Sequence, residues 1–300
     1  MTAAEPGTDS RRFGWAAIAS AAAALVAYLV FVLTATGQEY ENRALVGARE
    51  EFREQRAEWL SGLDELTALS FAFAIVVVVA IALLRRKPLL AAVAAGIMVI
   101  SVAATEALQR LLGRPELVEA PAHWLSNSFP SGHVAVAVAV GIGAVLVVPY
   151  MLRALVTIGA ALYAMAIALA VVIAGWHRLS DVVGAAAIVL AVACVALYLL
   201  ARGGRIRPFR QLRRIGFTAV ALVLGGATLI FAGVGLMGWL ELLPIPAEPI
   251  LPSPPPLELR LAFTTTLVLG AAAIGLVFLS FLWLVRPYAI DEPVEPPARG

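Results

Sequence analysis

The chain has 300 residues, of which 61% are hydrophobic and only 14% charged, well below the roughly one quarter charged that soluble domains carry. A water-soluble domain is excluded, and lipid must solvate much of the surface. With 22 Lys and Arg against 20 Asp and Glu, the net charge of +2 excludes the basic excess of a nucleic-acid binder, and the single cysteine, Cys194, excludes a disulfide framework.

A helix crosses the hydrocarbon with roughly 20 apolar residues, because unpaired backbone amides are not tolerated there. Eight stretches qualify: Phe13 to Ala35, Leu66 to Leu84, Leu89 to Leu108, Val134 to Leu152, Ala154 to Trp176, Val182 to Ala201, Gly216 to Leu240 and Leu261 to Val285. An all-α polytopic membrane bundle is therefore expected. The first stretch, behind Arg11 and Arg12, reads as an uncleaved anchor rather than a signal peptide. After it, Leu45, Ala48, Phe52, Trp59, Leu60 and Leu63 recur at helical spacing, with Glu50, Glu51, Arg53, Glu54 and Arg56 between them. This pattern predicts an amphipathic helix, either lying on the outer surface as a lid or lateral gate, or extending the second span into water. Between the last two spans, seven prolines from Pro244 to Pro256 predict a stiff extended spacer. Gly141, Gly143, Gly225 and Gly226 fall inside spans and read as helix-packing contacts.

Orientation follows from Lys and Arg, which cytoplasmic loops retain. One set of span ends holds 14 of them, including Arg85, Arg86, Lys87 and the run from Arg202 to Arg214; the opposite set holds 8, four of them in the first loop beside eight acids. Both termini are expected in the cytoplasm of a multi-pass plasma-membrane protein. The expected organisation is a tail at 1–12, a membrane domain at 13–201, a basic cytoplasmic loop at 202–215, two further spans at 216–285 and a cytoplasmic tail at 286–300.

Polar residues inside a membrane protein mark function by where they cluster. All three histidines lie between Glu106 and His133 or between His177 and Asp181. His133 and His177 are 44 positions apart. In helix that is about 66 Å, or two membrane crossings, which returns the chain to its starting face. Arg114, His133 and His177 are thus expected together, at the outer face. Pro130, Ser131, Gly132 and His133 open the fourth span, with Ser131 suited to cap the helix and Gly132 allowing close approach; such a helix start binds anions. His177 and Asp181 stand at i and i+4, so the carboxylate can accept a hydrogen bond from one imidazole nitrogen, which fixes the tautomer and makes the other nitrogen a better nucleophile. Nucleophile, orienter, second histidine, anion cradle and arginines suggest phosphoryl transfer through a phosphohistidine.

Pro130-Ser131-Gly132-His133 followed by His177-x-x-x-Asp181 resembles the type 2 phosphatidic acid phosphatase superfamily, the lipid phosphate phosphatases, over about residues 13 to 201. The resemblance implies a core of six membrane helices, with the last two spans outside it. It also implies roles: His177 as nucleophile, Asp181 as its orienter, His133 as general acid, Ser131 and the Gly132 amide as phosphate ligands, and no metal or other cofactor. The family's first motif, Lys, six residues, then Arg-Pro, is incomplete. If Arg114-Pro115 ends it, Ala107 holds the lysine position; in a register shifted by two, Gln109 replaces lysine and Glu116 the arginine. The Ser-Arg that usually begins the last motif is replaced by Ala170 and Val171. Arg110 and Arg178 are the candidate substitutes, since a metaphosphate-like transition state needs positive charge around its oxygens. Gly175-Trp176-His177-Arg178 and Asn127-Ser128-Phe129-Pro130 are similar to segments of a bacterial branch of the family, which favours an altered but working site.

Other polar residues have plainer readings: His123 beside Trp124 as an interfacial loop residue, Glu106 with Arg110 as a local i, i+4 ion pair, Asn127 as a turn residue or a substrate donor, Arg178 as a snorkelling side chain. Three functions follow: a hydrolase of a membrane lipid phosphate or diphosphate at the outer leaflet, a phosphotransferase on the same site, or a catalytically weak lipid-binding scaffold that keeps the fold. The expected partner is a membrane lipid and not a nucleic acid.

Overall fold

The computed structural model describes residues 6–51, 68–118, 126–208, 215–243 and 256–290. It is a membrane-protein helix bundle. In chain order the elements are α1 (Pro6–Ala27), which runs on as a π-helical turn (Tyr28–Val32), α2 (Ala35–Glu51), α3 (Ala68–Leu84), α4 (Pro88–Leu111), α5 (Gly132–Val147), α6 (Tyr150–Ile173), α7 (Leu179–Arg202), β1 (Ile206–Pro208), α8 (Ile215–Leu242), α9 (Pro256–Val285) and β2 (Tyr288–Ile290).

Proline and glycine set the helix boundaries. Pro88 starts α4 where its missing N–H costs nothing, and Pro149 separates α5 from α6. Six helices among the described residues are long and apolar enough to cross a membrane: α1 with its π turn, α4, α6, α7, α8 and α9. The other two expected spans are shorter apolar helices, Leu69–Leu84 and Gly132–Val147. At 16 residues α5 rises about 24 Å, less than the roughly 30 Å of hydrocarbon.

The helices that carry the histidine motifs are the enclosed ones. Along α5, Val134, Val138, Ile142, Val145 and Leu146 have no exposed surface, and α7 is covered on its several faces by α1, α4, α5 and α9. The outer α8 is the least covered of the six spans. Close approach confirms the packing reading for two glycines: a Cβ on Gly141 would meet Phe278 and Ala160, and one on Gly143 would meet Met98. Gly225 and Gly226 have no neighbour within 4 Å of such a Cβ, so they are not packing contacts.

The two ends of the bundle differ. At one, β1 pairs antiparallel with β2, Arg12 lies over Trp283 at 4.4 Å and donates to the Tyr288 hydroxyl, and the buried Arg153 donates to the Val285 and Tyr288 carbonyls. The first and last described segments therefore share an end. The histidine motifs occupy the other.

That second end holds a departure from expectation. The described part of the amphipathic segment, as far as Glu51, is helical with Leu45 and Ala48 buried, and α2 begins upstream of it, where Gln38, Glu39, Tyr40, Glu41, Asn42 and Arg43 are all buried, with α9 along its length. Tyr40 bonds to Thr266 at 3.0 Å, Arg43 pairs with Glu39 and Glu258, and the α9 backbone at Leu259 lies against Gly47. Polar residues that look solvated in sequence are satisfied by one another instead. Phe52, Trp59, Leu60 and Leu63 lie outside the described residues, as do most of the proline segment and Arg210, Arg213 and Arg214.

Candidate active site

Local helix-end chemistry places His177. A Schellman motif closes α6: Gly175, at φ +70°, turns the chain so that its own N–H reaches the Val172 carbonyl at 2.9 Å and the Trp176 N–H reaches that of Val171 at 3.0 Å. The His177 N–H joins the same Val171 carbonyl at 3.2 Å. Three residues later α7 is under way, and Asp181, at its N3 position, accepts the Arg178 N–H at 2.8 Å. The same oxygen, Oδ2, faces His177 Nδ1 at 3.1 Å. One fully buried carboxylate thus caps a helix and fixes an imidazole.

The Pro-Ser-Gly-His segment is docked onto this turn through backbone. The Ser131 N–H donates to the Asp181 carbonyl at 3.1 Å, while Ser131 Oγ caps α5 by accepting the Val134 N–H at 3.4 Å. His133, half-buried on the first turn of α5, stands edge-on to His177 with ring centroids 6.2 Å apart, and 5.4 Å from Trp176. Around Gly132 a Cβ would find nothing within 4 Å. Open space therefore adjoins a helix start whose first amides have no intrahelical acceptor.

The two arginines nearest this space are held differently. Arg178 does not snorkel: it is buried, and its Nη1 donates to Ser128 Oγ at 2.8 Å. Burial, and then the charge of Arg114, hold its guanidinium below the ordinary value, against the opposing pull of Asp181 and Glu41. Arg114 is buried along its side chain and pairs with Glu41 at 3.2 Å, and its buried Nη2 has no hydrogen-bond partner among the described residues. Arg110 is placed differently: its side chain is 79% exposed and paired with Glu106 at 3.3 Å, and it lies beside the inward face of α4, which runs through Ser101 and Thr105 to Gln109.

The same face bears on the incomplete first motif. Ala107 points away from the bundle, whereas Gln109 Nε2 donates to the Ser128 carbonyl at 3.3 Å. The side-chain position beside the site is thus held by Gln109, and the arginine position by Arg114. Asn127 resolves to its turn role: its amide donates to the Gln109, Leu112 and Phe129 carbonyls, and its oxygen accepts the Phe129 N–H. His123 lies outside the described residues.

Sequence reasoning missed Glu41. One of its oxygens accepts the Ser180 N–H at 2.9 Å, in the first turn of α7, and the other takes Arg114. Burial, the largest cause, and then Asp181 hold its carboxyl above the usual range, against Arg114, Arg178 and Ser180. The only signal was the excess of acids in the first loop.

Residues 90–205, from α4 through α7, match the family model described as the PAP2 superfamily. Arg114, Ser131, His133, His177 and Asp181 all fall inside it, and α1, α2, α3, α8 and α9 outside. No curated protein and no solved structure matches the chain.

Proposed function

We propose that the protein is a lipid phosphate phosphatase working through a phosphohistidine. The observation that carries the reading is the buried His177–Asp181 pair set 6.2 Å from His133 across an open helix start. With its Nδ1–H donated in a hydrogen bond to the Asp181 carboxylate, His177 presents the Nε2 lone pair to phosphorus. As the N–P bond forms and the P–O bond to the lipid breaks, His133 gives its proton to the leaving oxygen. A water, deprotonated by His133, then attacks the phosphohistidine, releasing inorganic phosphate and restoring both imidazoles. Arg114, Arg178, Ser131 and the amides at Gly132 hold the non-bridging oxygens, and Arg178 supplies charge that Val171 in α6 does not.

A lipid substrate is supported by where the site lies, at the N-terminal ends of two apolar membrane helices, α5 and α7, where a headgroup phosphate could arrive by lateral movement in the leaflet. The 14 to 8 division of Lys and Arg supports termini in the cytoplasm and a site on the outer leaflet, where polyprenyl diphosphate and phosphatidate are the candidate substrates. A lipid or sugar acceptor in place of water would make the same site a phosphotransferase.

The test is phosphate release by purified protein in detergent from a panel of lipid mono- and diphosphates, soluble sugar phosphates and nitrophenyl phosphate, with chelator present. Turnover of the lipids, surviving chelation and lost in His177→Ala, is expected. Equal efficiency on the soluble esters would refute a lipid substrate, and undiminished turnover in His177→Ala would refute the mechanism.

A further inference from the structure

The Arg114 segment has no regular secondary structure, and what fixes it comes from outside the family-matched residues. Tyr28 donates its hydroxyl to the Gly113 carbonyl at 2.6 Å. Gln38 brackets the next stretch, donating to the Pro115 carbonyl at 2.7 Å and accepting the Leu117 N–H at 3.3 Å. Glu41, one helical turn along α2, takes Arg114 Nη1 at 3.2 Å. Gln38 and Glu41 thus use the i, i+3 spacing of one helix to seize both backbone and side chain of the same segment.

Glu41 also spans two motifs. Its second oxygen receives the Ser180 N–H at 2.9 Å, next to Asp181, so one carboxylate ties the arginine of the first motif to the helix start of the last. With one guanidinium nitrogen so engaged, the buried Nη2 of Arg114 has unused donors among the described residues. A buried guanidinium donor without an acceptor is costly, and an anionic oxygen would satisfy it. The carboxylate itself is fully enclosed, and its charged neighbours are Arg114, Arg178 and Asp181. The helix that brings it there leans on α9, through Tyr40 with Thr266 and Gly47 against Leu259. This gives the last membrane helix a role in the site.

We propose that Glu41 is a positioning residue of the active site, delivered by α2 and braced by α9, which fixes Arg114 so that its free guanidinium edge receives a phosphate oxygen. The proposal rests on the phosphoryl-transfer reading of the site. Glu41 does not touch substrate; it acts through Arg114. A contact made equally in the ground and transition states affects binding rather than turnover, so loss of Glu41 should appear in KM and in anion affinity, and only weakly in kcat.

The experiment measures orthovanadate binding by calorimetry and hydrolysis of a lipid phosphate, on the full chain in detergent, for wild type, Glu41→Gln, Glu41→Ala, Arg114→Ala and the Glu41→Ala/Arg114→Ala double variant. Glu41→Gln is nearly isosteric, and it carries the test if Glu41→Ala does not fold. Gln has one acceptor oxygen for two donors, so either Glu41 variant should weaken orthovanadate and raise KM about tenfold with kcat within about twofold. In the Arg114→Ala background the Glu41 change should add less than about twofold, since coupled residues are not additive. An unchanged KM in folded Glu41→Gln, or an equal loss with and without Arg114, overturns the proposal while the phosphatase reading stands. If the wild type binds orthovanadate but hydrolyses nothing, the hydrolase reading falls, and the coupling measured on orthovanadate alone decides for or against Glu41. A wild type that neither binds nor hydrolyses overturns both.

Discussion

Asp181→Asn separates charge from geometry at the proposed nucleophile. The carboxylate is fully buried; its Oδ2 serves His177 Nδ1 at 3.1 Å and the Arg178 N–H at 2.8 Å, and its Oδ1 lies 3.5 Å from Ser180 Oγ. An asparagine with its oxygen at the Oδ2 position keeps both N–H donors satisfied, and Ser180 can turn its hydroxyl to accept from the new NH₂. The flipped amide would set its NH₂ against two donors, at about 1–3 kcal/mol for each buried group left unpaired. The backbone N–H of Arg178 cannot change tautomer, so it selects the first orientation, and the imidazole keeps Nε2 free. What is lost is charge. A hydrogen bond to an ionised acceptor contributes about 1.5–3 kcal/mol against about 0.5–1.5 kcal/mol for a neutral one, a difference of about 1–2 kcal/mol. The imidazolium-like transition state feels that difference, so kcat/KM should fall roughly 5- to 30-fold. His177→Ala, which removes the nucleophile itself, should cost far more. Initial rates of phosphate release, with orthovanadate affinity as a control for an intact site, measure both. An Asp181→Asn enzyme as dead as His177→Ala would mean that the amide flips or that the carboxylate has another role. One within about twofold of wild type would mean that His177 is not oriented by it.

Three further outcomes are expected. Gly184→Ala places a methyl group into the ring of Phe129, which precedes the Pro-Ser-Gly-His turn; overpacking should cost about 1–3 kcal/mol, read as a lower Tm together with reduced turnover, and an unchanged Tm would contradict the packing described. Arg178→Lys should reduce kcat/KM at least tenfold, because an ammonium anchored at Ser128 has no second nitrogen set apart in a planar fork to reach a phosphate oxygen, whereas Arg110→Ala should change it less than twofold; the reverse order would favour Arg110 as the phosphate ligand. Folding raises the Glu41 pKa above its ordinary 4.5, so the stability tied to this proton is present below that value and is lost as pH rises through the raised one. The Tm of wild type relative to Glu41→Gln should accordingly fall as pH rises across that window, and a constant difference would place Glu41 outside it.

The arrangement of His133 and His177 was legible because membrane crossings are integers: helical rise and the 44-residue separation leave only the same face. The i, i+4 spacing of His177 and Asp181 was equally readable, since one helical turn across a helix start fixes it. The setting of Arg110 was less legible, because charge alone does not show a helical face; Ser101, Thr105 and Gln109, four apart, mark the inward stripe of α4, and Arg110 lies beside it. Glu41 was hidden for a different reason. A run such as Gln38-Glu39-Tyr40-Glu41-Asn42-Arg43 has the composition of a solvated helix, and only tertiary partners on α7, α9 and the segment after α4 make its burial affordable. Its distance in sequence from the family-matched residues removes the motif signal as well.

Trapping the covalent intermediate tests the phosphohistidine directly. Protein mixed with lipid substrate labelled in the phosphate, quenched in the first turnover and mapped by mass spectrometry under conditions that preserve phosphoramidates, should carry phosphate on His177 Nε2. The label should vanish in His177→Ala and outlast the wild-type label in His133→Ala, where the water lacks its base. Label retained in His177→Ala, or turnover with no labelled protein at any quench time, would contradict it.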